Sequence, residues 1–183
     1  YLVEARLGPL CRRENLDSIE TLVGRLRSTT FQPLTKKLVD AMTTNETMFF
    51  RDVEPFEVMR KHVLPELMAA RRNVRRLNIW YAASSTGQEP YSVSMLMRSE
   101  FPELDSWDIN QLATDISPTV LDRAREGRYS QLEVNRGLPA KYLVTWFTKQ
   151  GNDWQLKDEV RRMVKFEELN LTRPWPVMPP LDI

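Results

Sequence analysis

An α/β domain with a parallel sheet, preceded by a small all-helical unit, is the architecture this sequence predicts. From Leu77 onward, short apolar runs alternate with amphipathic segments, the pattern of strands joined by helices. Residues 2–43 instead carry their apolar positions at helical spacing throughout. The 183 residues are 42% hydrophobic and 28% charged, enough for a sizeable core and too apolar for a disordered chain.

In the first unit, Leu16, Ile19, Leu22, Val23 and Leu26 define a helical face, and Pro33 stands where a further helix can begin. Its charges (Arg12, Arg13, Arg25, Arg27, Lys36 and Lys37 among Glu14, Asp17 and Glu20) read as solvated faces or as a local basic surface. Pro55 to Ala70 is a second amphipathic stretch, with Phe56, Met59, Val63, Leu64 and Leu67 as its buried stripe. Arg71, Arg72, Arg75 and Arg76 follow, where cations complement the negative end of a helix dipole.

LNIWYAA then predicts a strand, EPYSVSMLMRSE a helix, DINQLATD a second strand and SPTVLDRAREG a second helix. Ser117 is the cap of that helix, Pro118 its first residue and Gly127 its stop. Leu138 to Phe147 is helical, Gly151-Asn152 turns a hairpin between Trp146 and Leu156, and residues 162–169 form a third strand. The proline-rich TRPWPVMPP leads into LDI, the start of a fourth.

Composition narrows the function. A formal net charge of +1 gives no bulk attraction to nucleic acid, so no nucleic-acid partner is expected. No apolar run reaches the ~20 residues of a membrane span and YLVEARLGPL is not a signal peptide, so the expected location is cytoplasmic without membrane insertion. Single Cys11 and His62 argue against a Cys/His metal cluster and a Ser-His-Asp triad. Both are expected to be structural, and no metal site is predicted.

Ligands of such sheets bind at the carboxyl ends of strands, where loops and helix N-termini offer amide donors. The first such end is Ala82-Ala83-Ser84-Ser85-Thr86-Gly87-Gln88-Glu89-Pro90, which matches neither a dinucleotide fingerprint nor a phosphate loop. The second carries Asp115, whose carboxylate suits the two hydroxyls of a ribose or, equally on spacing alone, assists the Ser117 cap.

TTNETMFFRD, WYAASSTGQEPYS, LATDISPTVLDRAREGRYS and VKFEELNL occur in the order and approximate spacing of the chemotaxis receptor methyltransferase (CheR) family, which the chain resembles over almost its whole length. The resemblance implies a Rossmann-like class I methyltransferase domain behind the helical N-terminal domain. The divisions expected are 1–45 for the helical domain, 46–75 for a linker segment and helix, and 76–183 for the S-adenosylmethionine-binding domain. It also implies further strands beyond Ile183, so the present residues alone are expected to be a poor enzyme.

The implied activity is transfer of the methyl group of S-adenosyl-L-methionine to glutamates on the cytoplasmic helices of methyl-accepting chemoreceptors, leaving S-adenosyl-L-homocysteine. The alternative is a non-catalytic cofactor-sensing or scaffold module. Carried over position by position, Asn45, Thr47 and Arg51 reach the cofactor from the interdomain segment. Arg51 is the counter-charge to its carboxylate and the one residue assigned to catalysis; otherwise it only pairs the two domains. Glu89 and Asp115 hold the amino-acid and adenosine parts, and Asn170 and Leu171 line the adenine side.

The sequence departs from the family at Tyr81, Ser84 and Gln88, where a small residue, a cysteine or alanine, and a glutamate are usual. A monomer is expected for the intact protein, and a dimer through the open sheet edge for a truncated one. The reaction needs no general base, because an ionised glutamate is already a nucleophile and a sulfonium methyl is already activated.

Overall fold

The computed structural model describes residues 1–28 and 32–183, so positions 29–31 of the expected helical unit lie outside the described residues. Three helices open the chain: α1 (Leu2–Arg13), α2 (Ile19–Ser28) and α3 (Gln32–Met42), with Pro33 in the first turn of α3 as expected. They enclose their own apolar cluster of Leu7, Leu10, Cys11, Leu16, Leu22 and Leu34. Val23, expected on the buried face, is more than one-third exposed, because it follows Leu22 by only one residue and Leu22 takes the inward position. Cys11 is buried and directs its thiol at the Ser18 carbonyl, 3.6 Å away, a packing role.

A segment of turns then leads into α4 (Glu54–Val58), a π-helical turn (Met59–Val63) and α5 (Leu64–Arg71). Of the expected stripe, Phe56 and Leu64 are buried in the main core, with Met59 and Leu67 packed against it. The alternating part follows: β1 (Arg76–Tyr81), α6 (Gln88–Glu100), β2 (Asp108–Asp115), α7 (Pro118–Glu126) and, after an inserted subdomain, β6 (Val164–Glu168). β2 lies between β1 and β6 and pairs parallel with both, Leu77 opposite Ile109 and Ala113 opposite Phe166.

Along β1 and the first part of β2 the alternate residues Leu77, Ile79, Tyr81, Gln111 and Ala113 are buried while the residues between them are less so, and the carboxyl end of β2 (Ala113–Asp115) is buried throughout. A buried polar network crosses this layer: the Tyr81 hydroxyl donates to Gln111 Oε1 at 2.8 Å, and Gln111 Nε2 donates to Ser94 Oγ on α6 at 2.9 Å. Burial, and secondarily the Glu89 carboxylate, push the Tyr81 phenol well above its ordinary value, so it stays a neutral donor. The final residues run beside the free edge of β1, with Asp182 N–H on the Asn78 carbonyl at 2.8 Å and Trp80 N–H on the Ile183 carbonyl at 3.0 Å.

The inserted subdomain contains β3 (Arg128–Ser130), α8 (Gln131–Asn135), α9 (Ala140–Trp146), β4 (Phe147–Gln150), β5 (Asp153–Leu156) and α10 (Asp158–Arg161). Its antiparallel sheet has the order β3-β5-β4, so the hairpin predicted at Gly151-Asn152 gains a third strand. β3 was not anticipated because it is only three residues long. The Ser130 and Glu133 side chains form a capping box that starts α8 immediately after it.

The helical unit meets the α/β part through few polar contacts. Lys36 pairs with Glu168 at 2.9 Å and Thr119 Oγ1 donates to Asp40 at 2.7 Å, while Arg6 ties α1 to the end of the unit at the Met42 carbonyl and Thr44. Among the described residues no helix is long and apolar enough to cross a membrane.

Candidate functional site

The turn after β1 is drawn onto the sheet by Ser84 N–H, which donates to the Thr114 carbonyl at 2.9 Å. The chain then passes Ser85 in the left-handed region (φ 49°) and Gly87, the N-cap of α6. Asp115, at the end of β2, is buried and uses both carboxylate oxygens on backbone donors. Ser85 N–H lies 2.8 Å from Oδ2 and Ser117 N–H 3.0 Å from Oδ1. Ser117 caps α7 by accepting from Val120 N–H at 3.3 Å, so the cap-assisting use of Asp115 is present. Asp115 also lines a cavity.

That cavity is about 410 Å³, within the ~300–1,000 Å³ of small-molecule sites. It is lined by residues 44–48 with Arg51 and Asp52 and by Trp80, Tyr81, Ser85, Glu89 and Asp115 from β1, the following turn, α6 and the end of β2. Asn45, Thr47, Arg51, Glu89 and Asp115, five of the residues the sequence singles out, therefore share one cavity. Asn170 and Leu171 are not among its lining residues. Asn170 turns its carbonyl oxygen back onto Thr172, and Leu171 is exposed with its backbone carbonyl taken by Trp175 Nε1. Their loop starts close by, since Leu169 N–H donates to the Asp115 carbonyl at 2.9 Å.

Among the described residues, the polar partners of Arg51 lie in its own segment, Asp52 at 3.7 Å and the Glu46 carbonyl at 3.4 Å, so it does not pair the two parts of the molecule there. The guanidinium is more than half exposed, and its single 3.7 Å ion pair is a weak hold. Glu89 is open to the cavity, yet the surrounding walls withdraw enough water to raise its carboxyl above the ordinary value. One cavity is thus lined by a weakly held cation, a carboxylate whose pKa partial burial raises and a second, fixed carboxylate.

The segment carrying Asn45, Thr47 and Arg51 is held from several sides. Ser85 Oγ donates to the Asn45 carbonyl at 2.8 Å, Phe50 N–H donates to Ser92 Oγ at 3.0 Å, and Arg136 pairs with Glu46 at 3.1 Å. Phe49 is fully buried edge-on against Tyr129 and Phe147, and Phe50 stacks on Tyr142 with centroids 5.0 Å apart. Four of these partners, Tyr129, Arg136, Tyr142 and Phe147, belong to the inserted subdomain, which therefore buttresses the cavity wall. Phe50 and Asp52 adopt positive φ (48° and 54°), strain that this packing sustains.

Met59, Trp80 and Ser85 also line the cavity, though from sequence Met59 has only a core role and Ser85 only a place in the ligand-binding turn, with no individual site role for any of the three. Met59 sits at the start of the π-helical turn, and Ser85 owes its place to a left-handed backbone that its residue type does not announce. A wider hollow of about 890 Å³ lies at the amino ends of the strands. Its charges are already paired, as Arg71–Asp182, Arg76–Asp108 and Lys165–Glu167, so it offers little to a ligand. Among the described residues no cluster of His, Cys, Asp and Glu is placed to hold a metal.

The neighbouring Ser84 hydroxyl is buried with no partner among the described residues. An unsatisfied buried hydroxyl costs ~1–3 kcal/mol, so Ser84→Ala is expected to be neutral or to raise the thermal midpoint by ~2–4 °C, read by calorimetric melting.

A parallel sheet with order β1-β2-β6 and charged groups gathered at its carboxyl ends defines an α/β cofactor-binding protein. Residues 45–183 match the family model described as CheR methyltransferase, SAM binding domain, and the chain belongs to that family. It is 42% identical over 179 residues to chemotaxis protein methyltransferase 1 of Pseudomonas aeruginosa, covering 93% of this chain and 63% of the relative. Identity is 38% to chemotaxis protein methyltransferase Cher2 of Pseudomonas putida, covering 100% and 68%. It is 40% to the chemotaxis protein methyltransferase of Vibrio parahaemolyticus, covering 100% and 66%. The chain thus spans about two thirds of the length of these relatives.

Proposed function

We propose that the protein is a cytoplasmic S-adenosylmethionine-dependent protein-glutamate O-methyltransferase acting on chemoreceptors, with its cofactor in the 410 Å³ cavity. The observation that carries this reading is the charge set of that cavity. A zwitterionic amino-acid group needs one cation and one anion, and Arg51 and Glu89 face the same space. Asp115, at the end of the next strand, has the position from which a carboxylate accepts from ribose hydroxyls. Its two backbone donors fix its orientation and leave lone pairs on both oxygens for that purpose.

Asn45 and Thr47 complete the wall on the interdomain side. Asn170 and Leu171 remain assigned to the adenine side, supported by the start of their loop beside Asp115. The proposed division is a helical domain over 1–45, a connecting segment over 46–75 and the cofactor domain from 76, supported by the change of apolar cluster between Met42 and Phe49.

The cofactor supplies an activated methyl group when bound. The residues of this chain orient and desolvate: Arg51 and Glu89 fix the amino-acid end, Asp115 fixes the sugar, and Trp80, Met59 and Phe56 exclude water. The acceptor glutamate is ionised near neutral pH, so no residue here has to remove a proton.

The raised carboxyl of Glu89 makes a pH prediction. Below its pKa the side chain is neutral and cannot pair with an ammonium group. Affinity for S-adenosylhomocysteine is therefore expected to rise with pH through the titration of Glu89 and then level off. In the free protein the sign is opposite: an acid whose folded pKa is raised contributes stability at low pH, lost as pH rises through that pKa. Glu89→Gln is expected to bind more weakly and with a flat profile over the same acid range. Calorimetric titration at a series of pH values checks both, and a wild-type profile as flat as that of the variant would remove Glu89 from the site. Methyl-ester formation on receptor glutamates tests the acceptor; cofactor binding without any transfer would favour a sensing module.

A further inference from the structure

We propose that Ser85 is a positioning residue that couples the interdomain segment to the carboxylate of Asp115, an inference that rests on the cofactor reading above. It makes two bonds in two directions: its N–H donates to Asp115 Oδ2 and its hydroxyl donates to the Asn45 carbonyl, each at 2.8 Å. Its backbone is left-handed, a conformation that a residue other than glycine adopts at a cost unless the surroundings over-determine it. Here the surroundings are the carboxylate on one side and the segment of residues 44–52 on the other, and Ser85 itself is 7% exposed.

The arrangement has a functional consequence. The same residue orients the group assigned to the ribose and tethers the wall that carries Asn45, Thr47 and Arg51, so the two halves of the site are set together. Serine fits the position because it offers a hydroxyl on the shortest stem, whereas threonine would add a β-branch where φ is positive. The adjacent Ser84 supplies an internal comparison: also buried in the turn, it has no partner for its hydroxyl and is not part of the cavity wall.

Ser85→Gly keeps the N–H bond to Asp115 and the positive φ while removing the hydroxyl tether; Ser85→Ala removes the tether and keeps a side-chain carbon. Amide hydrogen exchange and calorimetric titration of S-adenosylhomocysteine on the intact protein test the coupling, with Ser84→Ala alongside. Both Ser85 variants are expected to speed exchange within residues 44–48 while strands β1 and β2 keep wild-type protection. Affinity is expected to fall about three- to tenfold, the scale of one hydrogen bond. Ser84→Ala is expected to change neither quantity.

Unchanged exchange at 44–48 in both Ser85 variants would overturn the tether. Faster exchange with undiminished affinity would overturn its positioning role. A wild-type protein that does not bind S-adenosylhomocysteine would instead sink the cofactor reading and the positioning role together, so the failures are distinguishable.

Discussion

Gly137→Ala is expected to be among the most damaging single-methyl substitutions in this protein. Gly137 follows α8 with φ 82°, and a Cβ placed there would lie 2.0 Å from the carbonyl oxygen of Phe49. The obstacle is backbone, which cannot swing aside like a side chain. The backbone conformation alone costs ~1 kcal/mol or more for a non-glycine residue, and the forced shift adds ~1–3 kcal/mol. A loss of ~3 kcal/mol is therefore expected in denaturant unfolding.

Gly151→Ala is the matched control. Its φ is 61°, but nothing lies within 4 Å of the added carbon, so only the conformational cost of ~1 kcal/mol is expected. Because Phe49 belongs to the segment that carries Thr47 and Arg51, Gly137→Ala should also weaken cofactor binding in the molecules that remain folded. Equal losses for the two variants would contradict the buttressing role of the inserted subdomain.

Asp115→Asn is expected to lose both stability and cofactor affinity. Asparagine keeps one acceptor oxygen and turns an NH2 group toward the other backbone donor, so one of the bonds from Ser85 and Ser117 becomes a clash of donors. Hydrogen bonds to a charged group are worth ~1.5–3 kcal/mol, which sets the stability loss at ~2 kcal/mol. If the ribose hydroxyls also use this carboxylate, affinity for S-adenosylhomocysteine falls by about 10- to 100-fold. A variant that melts early but binds with wild-type affinity at low temperature would leave Asp115 as a cap-assisting residue only.

Much of the fold was legible because each element carries its own local signal. β2 was read at its observed bounds from DINQLATD, and α7 from Ser117, Pro118 and Gly127, which the structure uses as cap, first residue and left-handed stop. Val23 was misplaced because a stripe of five apolar residues can be read with either of two adjacent positions inward. The third strand of the small sheet was missed because three residues give no periodicity.

The candidate site was legible at Asn45, Thr47, Arg51, Glu89 and Asp115 through family resemblance; spacing alone left Asp115 balanced between two uses. The contributions of Ser85 and Gly137 are long-range: one contacts the backbone of residue 45, the other that of residue 49. No window of sequence contains both partners. The role of the inserted subdomain was hidden for the same reason, since Tyr129 and Phe147 meet Phe49 across about 80 to 100 residues of chain.

Under the proposed function, the cavity between residues 44–52 and the carboxyl ends of β1 and β2 holds the cofactor. Calorimetric titration of S-adenosylhomocysteine into wild type, Arg51→Ala and Glu89→Gln tests it most directly, since both side chains face the cavity and neither is needed to keep the core intact. The predicted result is one-to-one binding by the wild type, weakened at least tenfold in each variant with no fall in melting temperature; Glu89→Gln, which removes a carboxylate whose ionised form burial disfavours, melts at or slightly above wild type near neutral pH. Binding of equal strength in all three proteins would place the ligand outside this cavity.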